Sequence, residues 1–270
     1  MKNRITAGLT ALIMLGSAMP AMPMPGSITA VAAEDYTEVT EGDLTFRKYS
    51  DHAEVAGCGS EAVNVEIPKE IGGLPVTAIG TEAFQTCELA DISIPDSVQQ
   101  VGEQAFWGCR YLKEITFPDT VSVIGSGALE SCESLKTVRL PEGLEAIPSE
   151  MFMNCEQLTT VNIPETVTSI GHLAFMSSGV TEATIPENAS VDGWAFQYCK
   201  ELKTVKMGKG VTFGHDCFQG CTSLTSVELP EDLKGDLSKP YNERYQYYFP
   251  GEPEAKGFTP PKPKWGGKRG

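Results

Sequence analysis

Cysteines are the residues here with the widest chemistry, because thiols can form disulfides, bind zinc or act as nucleophiles. The chain has 8 cysteines. Most of them recur every 21 to 23 residues, with Ser178 taking the place of one member. Equivalent residues of a repeat stack in a column with parallel side chains, and this geometry misdirects a disulfide bond. The column comprises Cys87, Cys109, Cys132, Cys155, Cys199 and Cys221.

The column therefore predicts buried free thiols that fill space between the repeats. One alternative stays open, namely a single disulfide at the end of the column. Its most plausible member is Cys58, which lies outside the register of the other cysteines. An even number of cysteines in an exported protein is compatible with either arrangement.

A second group, His215-Asp-Cys217-Phe-Gln-Gly-Cys221, superficially offers metal ligands. Zinc needs three or four convergent ligands. Cys217, however, takes the position of an alanine that precedes an inward aromatic residue, and Cys221 belongs to the column. Both are thus expected in the core, and His52 and His172 have no partner motif nearby. We predict no metal site and no cofactor.

Signatures of catalysis are also missing from the sequence. There is no G-x-S-x-G, H-E-x-x-H, phosphate-binding loop or dinucleotide fingerprint. Serines, histidines and carboxylates coexist, but none has a spacing that indicates a triad. We predict that the protein is not an enzyme, and an unrecognised site assembled in space remains the rival hypothesis.

The element that positions these residues is a repeat, which is clearest at residues 112–141. Each copy has a short alternating strand that ends in proline, then a valine, an Ile-Gly pair, an Ala-Phe pair and the cysteine. In a later copy, Val161 and Ile163 share one face of the strand. Thr160 and Asn162 share the other. One copy cannot bury its apolar groups alone, so a fixed period of this length predicts a stacked solenoid.

The repeat resembles the BspA-type leucine-rich repeat family, in which an L-x-x-V-x-I-P strand is followed by V-x-x-I-G-x-x-A-F-x-x-C. The resemblance covers residues 43–230, with departures at Pro148, Ser178 and Gly208 and at two of the Ile-Gly pairs. It implies an α/β-type repeat solenoid, a leucine-rich-repeat-like right-handed stack of about 7–8 coils with a parallel β-sheet on one face. It also implies an exported or surface protein of the kind credited with adhesion or ligand binding, without common catalytic residues.

Composition divides the chain into five segments. Residues 1–33 have the positive start, short apolar run and small residues of a signal peptide. Residues 34–62 are expected to form an N-terminal capping hairpin, and residues 63–230 the solenoid. The aromatic cluster in residues 231–249 predicts a C-terminal cap, with a binding segment or disorder as alternatives. The Pro- and Lys-rich residues 250–270 predict an extended or flexible tail.

The charge balance limits the partners. The chain has 36 acidic and 21 basic residues and a formal net charge of −15. This charge favours solubility and argues against nucleic acid or an anionic membrane as the main partner. No second long apolar segment follows the N-terminal one, so membrane insertion is not expected. We expect a monomer that is secreted or held at the cell surface after cleavage near Ala33.

The outward strand positions are the best binding candidates, because solenoids commonly use such a continuous surface for ligands. Threonine also suits exposed strands, so a merely solvated face is the alternative. Near the Ala-Phe turns, Trp107 and Tyr198 are further candidates to meet a sugar or a protein, whereas Trp194 is expected to pack. The predicted ligand-binding residues are Thr116, Arg139, Asn162, Thr184 and Lys206 in one row and Glu114, Thr137 and Thr160 in its neighbour.

These observations favour an exported, non-enzymatic repeat protein that binds an extracellular protein or a glycan through the sheet face. The main alternative is a structural spacer, or a component of a larger cell-surface assembly, with no specific ligand of its own.

Overall fold

The computed structural model describes residues 36–59 and 61–228. These residues form a β-solenoid of about 8 turns. The predicted signal peptide (1–33), C-terminal cap (231–249) and tail (250–270) lie outside the described residues.

The strands are short, and most coils contribute two of them, on different sides of the coil. In chain order they are β1 (Thr37–Glu41), β2 (Leu44–Lys48), β3 (Ala53–Cys58), β4 (Asn64–Glu66), β5 (Glu70–Ile71), β6 (Leu74–Ile79), β7 (Asp91–Ser93), β8 (Gln100–Val101), β9 (Glu114–Thr116), β10 (Val123–Ile124), β11 (Thr137–Arg139), β12 (Ala146–Ile147), β13 (Thr160–Val161), β14 (Ser169–Ile170), β15 (Glu182–Ile185), β16 (Ser190–Val191), β17 (Thr204–Met207), β18 (Thr212–Phe213) and β19 (Ser226–Glu228).

One side of the solenoid, the sheet face, consists of the strands that precede the prolines. Parallel ladders join β4 to β7, β9 to β11 to β13, and β15 to β17 to β19. Val138 lies opposite Ile115 in one neighbouring strand and Val161 in the other, so equivalent residues of adjacent coils are in register. Each strand ends near its proline because proline cannot donate to the ladder.

The second side consists of the two-residue strands around each Ile-Gly pair. Parallel ladders here join β3, β6, β8 and β10, and further along β12, β14, β16 and β18. The glycine of the pair is required because the backbone of the preceding coil approaches it closely. A Cβ atom on Gly125 would collide with the backbone nitrogen of Glu103.

The third side, the turn side, consists of the Ala-Phe segments, whose backbones bond from coil to coil. Glu150 N–H donates to His172 O at 2.9 Å, and Phe152 N–H donates to Ala174 O at 2.7 Å. Glu150 and Asn154 have φ of 61° and 60°. Two residues with a left-handed backbone conformation in one turn prevent the turn from continuing as a helix. The backbone N–H groups of the turn therefore donate to carbonyl groups of the next coil.

This geometry corrects the predicted fold class in one respect. No helix occurs in the described residues, so the α/β-type description is not supported there, whereas the repeat solenoid with parallel sheets is confirmed. It follows that the same range holds no helix long and apolar enough to cross a membrane.

The core is a continuous column of side chains from successive coils, and its centre is a stack of phenylalanines. Phe175 stacks on Phe152 with ring centroids 5.1 Å apart and on Phe196 at 4.8 Å. Phe84 and Phe106 stack similarly at 5.1 Å, and the buried Leu129 separates the two groups. Such offset aromatic pairs contribute beyond the area they bury.

At the N-terminal end, strands β1, β2 and β3 extend the sheet of the second side. β1 pairs with β2 and β2 pairs with β3, both antiparallel, and β3 then pairs in parallel with β6. Tyr49 N–H donates to His52 O at 2.9 Å and closes the β2–β3 turn. The role of this segment as a cap remains a prediction.

Candidate binding surfaces and the cysteine column

All eight predicted ligand-binding residues are exposed on the sheet face or at its end. Glu114, Thr137 and Thr160 lie side by side in one register row. Thr184 lies opposite Lys206 in the next ladder. The remaining three are Thr116, opposite Arg139, and Asn162, directly after β13.

The row that runs from Thr116 to Lys206 is divided between two separate ladders, a division that the sequence did not predict. β13 and β15 form no ladder, and hydrogen bonds outside the strands join the two coils there. Thr181 donates to Thr159 O through its N–H at 3.1 Å and its Oγ1 at 3.3 Å, and Gly179 N–H donates to Cys155 O at 3.1 Å. The coil containing Ser178 is shorter than its predecessor, and a Cβ atom on Gly179 would collide with Glu156 O. The tight passage at Gly179 brings the coils together there without a regular ladder.

Arg139 is held by partners on its own surface. Its Nη2 donates to Asp119 Oδ1 at 3.0 Å and Oδ2 at 2.9 Å, and its Nη1 donates to Phe117 O at 3.1 Å. These hydrogen bonds lower the pKa of Asp119 and raise the pKa of Arg139. A partner must therefore bind the neutral Arg139–Asp119 pair, or displace Asp119 before it meets a free guanidinium.

Lys206 has a looser arrangement on the same face. Its Nζ lies 4.0 Å from Glu228 Oε1, at the outer limit of an ion pair, and about half of each side chain is exposed. Such an exposed pair contributes little, so the ammonium can turn to a ligand at low cost.

The cysteine column is buried except for the partly exposed Cys221, and each of its free thiols has a hydrogen-bond acceptor. Cys109, Cys132 and Cys155 donate through Sγ to the carbonyl oxygens of Phe84, Phe106 and Leu129, at 3.1, 3.2 and 3.1 Å. Cys199 and Cys221 do the same to Phe175 and Phe196. The acceptor is always the carbonyl of the residue at the phenylalanine position one coil earlier.

Burial also makes these thiols poor nucleophiles. It raises the pKa of both Cys109 and Cys155 to about 12. Cys217 is likewise buried, and burial raises the pKa of its thiol to about 12. Because the thiolate is the reactive form, these positions indicate structural rather than catalytic cysteines.

Cys87 is the exception in the column, because it forms a disulfide with Cys58. The two Cα atoms are 7.0 Å apart. Of the two arrangements left open by the sequence, the terminal disulfide at Cys58 is therefore present. It links the end of β3 to the first turn, while the described residues of the column beyond it hold free thiols.

The His215–Cys221 segment does not assemble a metal site. Cys217 Sγ lies 3.0 Å from Gly214 O and 3.2 Å from Asp192 O, which are alternative acceptors for its one proton, and His215 is exposed. Across residues 36–59 and 61–228, no group of three or more His, Cys, Asp or Glu side chains converges in a way that would hold a metal ion.

A shallow pocket of about 270 Å³ lies at the N-terminal end of the sheet face. Its lining combines three acidic residues with the buried Leu44 and Phe46. The three carboxylates do not converge on one point, so the pocket suits a loosely held cationic group rather than a metal ion. The carboxylates belong to Glu41, Asp43 and Glu66.

The chain is similar to solved structures of leucine rich repeat proteins. The T. pallidum leucine rich repeat protein is 28% identical, with a TM-score of 0.60, and the match covers 77% of this chain and 94% of that one. A leucine rich cell surface protein from Faecalibacterium prausnitzii is 22% identical, with a TM-score of 0.48, over 73% of this chain and 78% of that one. No curated protein matches.

The repeats themselves match a family model described as BspA type leucine rich repeat region. The match spans residues 77–203 and 195–238 with 6 copies. These ranges cover more than half of the chain, and they contain the strand, Ile-Gly and Ala-Phe positions that build all three sides of the solenoid. The chain belongs to the BspA type leucine rich repeat family.

Proposed function

We propose that this chain is an exported, non-enzymatic protein that binds an extracellular protein or a glycan through its sheet face. The observation that carries the proposal is the register of that face. Exposed polar side chains of successive strands lie opposite one another on a rigid, phenylalanine-filled stack, as at Glu114, Thr137 and Thr160. Repeat proteins bind ligands through extended surfaces built from equivalent positions of successive coils.

The chemistry of the face suits many weak polar contacts. It offers threonine hydroxyls, the Asn162 amide, the Arg139–Asp119 pair and the Lys206 ammonium. With a formal net charge of −15 on the chain, shape and hydrogen bonding are expected to contribute more than attraction between net charges. Export, cleavage near Ala33, a location outside the cell and a monomeric state are part of the same proposal.

A structural spacer is the second candidate, and a specific observation favours it. Arg139 is satisfied by Asp119 and Phe117, and Lys206 lies near Glu228, so the face has few unpaired groups that demand a partner. A spacer needs only the rigid stack.

Binding of the exported protein to arrays of extracellular matrix proteins and glycans distinguishes the two candidates. A saturable signal that is lost in the triple variant Arg139→Gln, Asn162→Ala, Lys206→Gln supports binding by the sheet face. The matched control is a triple variant of exposed residues on the second side: Gln99→Ala, Ser122→Ala and Glu145→Gln. A blank array from the folded protein supports the spacer.

A further inference from the structure

The pocket at the N-terminal end of the sheet face is built by two separate parts of the chain. The turn between β1 and β2 contributes residues 41–43, and β4, the first strand of the sheet face, contributes Asn64 and Glu66. The turn is held in place from the other side, because Gly59 N–H donates to Asp43 O at 2.7 Å. Backbone contacts therefore set the position of the turn that forms one wall of the pocket.

The lining of this pocket combines apolar and acidic side chains, and none of its lining residues is basic. Its volume of about 270 Å³ is at the lower end for a ligand pocket, so it suits one large side chain. Within residues 36–59 and 61–228, none of its carboxylates forms an ion pair. The apolar lining residues are Leu44, Phe46, Val65 and Pro68, and the acidic ones are Glu41, Asp43 and Glu66.

The basic residues at this end of the solenoid have other neighbours. The sequence has three of them between positions 36 and 109. Arg47 Nη1 donates to Glu54 Oε1 at 2.9 Å, and Lys69 Nζ lies 2.8 Å from Asp96 Oδ1. Lys48 Nζ lies over a glycine of the β5–β6 turn. The pocket thus combines an apolar wall with negative charge that these bases do not neutralise, and a cationic group with an apolar body complements it.

The chain itself has a segment of this complementary composition. Residues 256–270, the basic segment, contain four lysines and one arginine and no acidic residue, in a chain with a formal net charge of −15. Trp265 lies directly after Lys264 and three residues before Lys268. An indole supplies a large apolar surface, and the lysines on both sides of it supply positive charge. The basic segment therefore matches both parts of the pocket lining.

The length of the chain permits this contact within one molecule. From Glu228, the last described residue, to Trp265 there are 37 residues. A chain of this length reaches up to about 120 Å when extended. From β4 to β19 the sheet face advances by seven coils, or about 34 Å at the usual strand spacing. A segment tethered within reach of its site has a high effective concentration there, which favours it over a free partner.

We propose that the pocket is the docking site for the basic segment of the same chain. Trp265 packs on the apolar lining, and Lys264 and Lys268 face the three carboxylates. The contact connects the C-terminal segment to the N-terminal end of the solenoid. None of the eight residues of the proposed ligand surface lines the pocket, so this docking and the binding function are tested independently.

Zero-length crosslinking of the full chain with a water-soluble carbodiimide tests the contact directly. The reagent activates a carboxyl group as an O-acylisourea, and a lysine amine in contact with it displaces the urea and forms an amide bond. Peptide mapping by mass spectrometry is expected to link Lys264 or Lys268 chiefly to Glu41, Asp43 or Glu66. Links spread evenly over acidic residues of the other coils, or no links at all, would overturn the proposal.

An equal mixture of ¹⁵N-labelled and unlabelled chains shows whether the segment belongs to the same molecule. Crosslinked peptides are expected to be either fully labelled or fully unlabelled. Peptides that join a labelled to an unlabelled chain would assign the pocket to a second copy, and this result also overturns the proposal.

Trypsin cleavage after Lys264 at low salt measures the protection of the segment without a crosslink. The variant Glu41→Gln, Glu66→Gln removes two exposed charges from the pocket and is expected to be cleaved roughly tenfold faster than wild type. The matched control Glu145→Gln, Glu165→Gln removes two exposed charges from other coils and should be cleaved like wild type. In about 0.5 M NaCl the three rates should converge, because salt screens the attraction. Equal rates for wild type and the pocket variant at low salt would overturn the proposal.

Discussion

The thiol of Cys132 donates a hydrogen bond of 3.2 Å to the carbonyl oxygen of Phe106, which lies 26 residues earlier in the chain. Phe106 O also accepts the backbone N–H of Cys109 at 3.1 Å. One carbonyl thus links the cysteine of its own turn to the cysteine of the next coil. The column joins consecutive coils by hydrogen bonds from buried thiols, and no disulfide is needed for the connection.

These contacts predict that the buried thiols are inert in the native protein. With a pKa of about 12 at Cys109 and Cys155, the thiolate fraction at pH 8 is about 10⁻⁴. Ellman's reagent at pH 8 is expected to leave them unmodified until guanidinium chloride unfolds the chain. Rapid modification of the buried cysteines before unfolding would contradict the assignment.

The same pKa shifts predict a loss of stability at alkaline pH. The folded-state pKa of Cys155 is raised above its unfolded value of about 9, because the thiolate is disfavoured when buried. The contribution of the protonated Cys155 thiol to the free energy of unfolding is therefore complete below about pH 9 and is lost as the pH rises towards 12. The midpoints of urea unfolding at pH 7.5 and pH 10.5 measure this loss of stability. The fall in midpoint should be smaller in Cys155→Ala, and an equal fall would assign the pH effect to other groups.

Alanine substitutions of Phe152 and Thr160 test which side chains of the repeat face inward. Phe152 is fully buried and stacks on Phe175 at 5.1 Å, so Phe152→Ala should cost about 3–5 kcal/mol of unfolding free energy. Thr160 is exposed, and Thr160→Ala should stay within about 0.5 kcal/mol. Chemical denaturation of both variants gives the comparison. Similar losses would refute the inside–outside assignment.

Most of the architecture could be predicted from the period of the apolar residues. Val138 and Leu140 are buried where the alternation requires it, and the stacked phenylalanines follow from the period of the repeat. The absence of a helix from the described turns could not be predicted, because it depends on backbone bonds between coils, such as Phe152 N–H to Ala174 O. Those bonds exist only once the coils stack.

The candidate surface was predictable in part. The exposed positions follow from strand alternation, as at Thr137 and Thr160. The Arg139–Asp119 pair was not predicted, because it joins residues 20 positions apart on different coils. Tyr198 was a candidate contact and Trp194 was expected to pack, but their left-handed backbone could not be predicted, since the sequence does not display φ. The nearest signal is an aromatic residue at positions where other copies have small or polar residues.

The disulfide gives a prediction for the N-terminal end. Cys58 and Cys87 close a loop with a sequence separation of 29 residues. The loss of this crosslink in Cys58→Ser should cost about 3–4 kcal/mol in the chain-entropy model. Alkylation followed by intact mass measurement, with and without reduction, should reveal a single bridge, and thermal denaturation gives the stability change. Additional bridges would contradict the free-thiol column.

The measurement that tests the central claim most directly is equilibrium binding of a protein comprising residues 34–270 to its best array ligand, with the sheet-face triple variant alongside. We predict that Arg139→Gln, Asn162→Ala, Lys206→Gln weakens binding at least tenfold, or about 1.4 kcal/mol, while circular dichroism is unchanged. The second-side control variant should bind like wild type. Equal affinities for wild type and the sheet-face variant would contradict the claim that this face binds the partner.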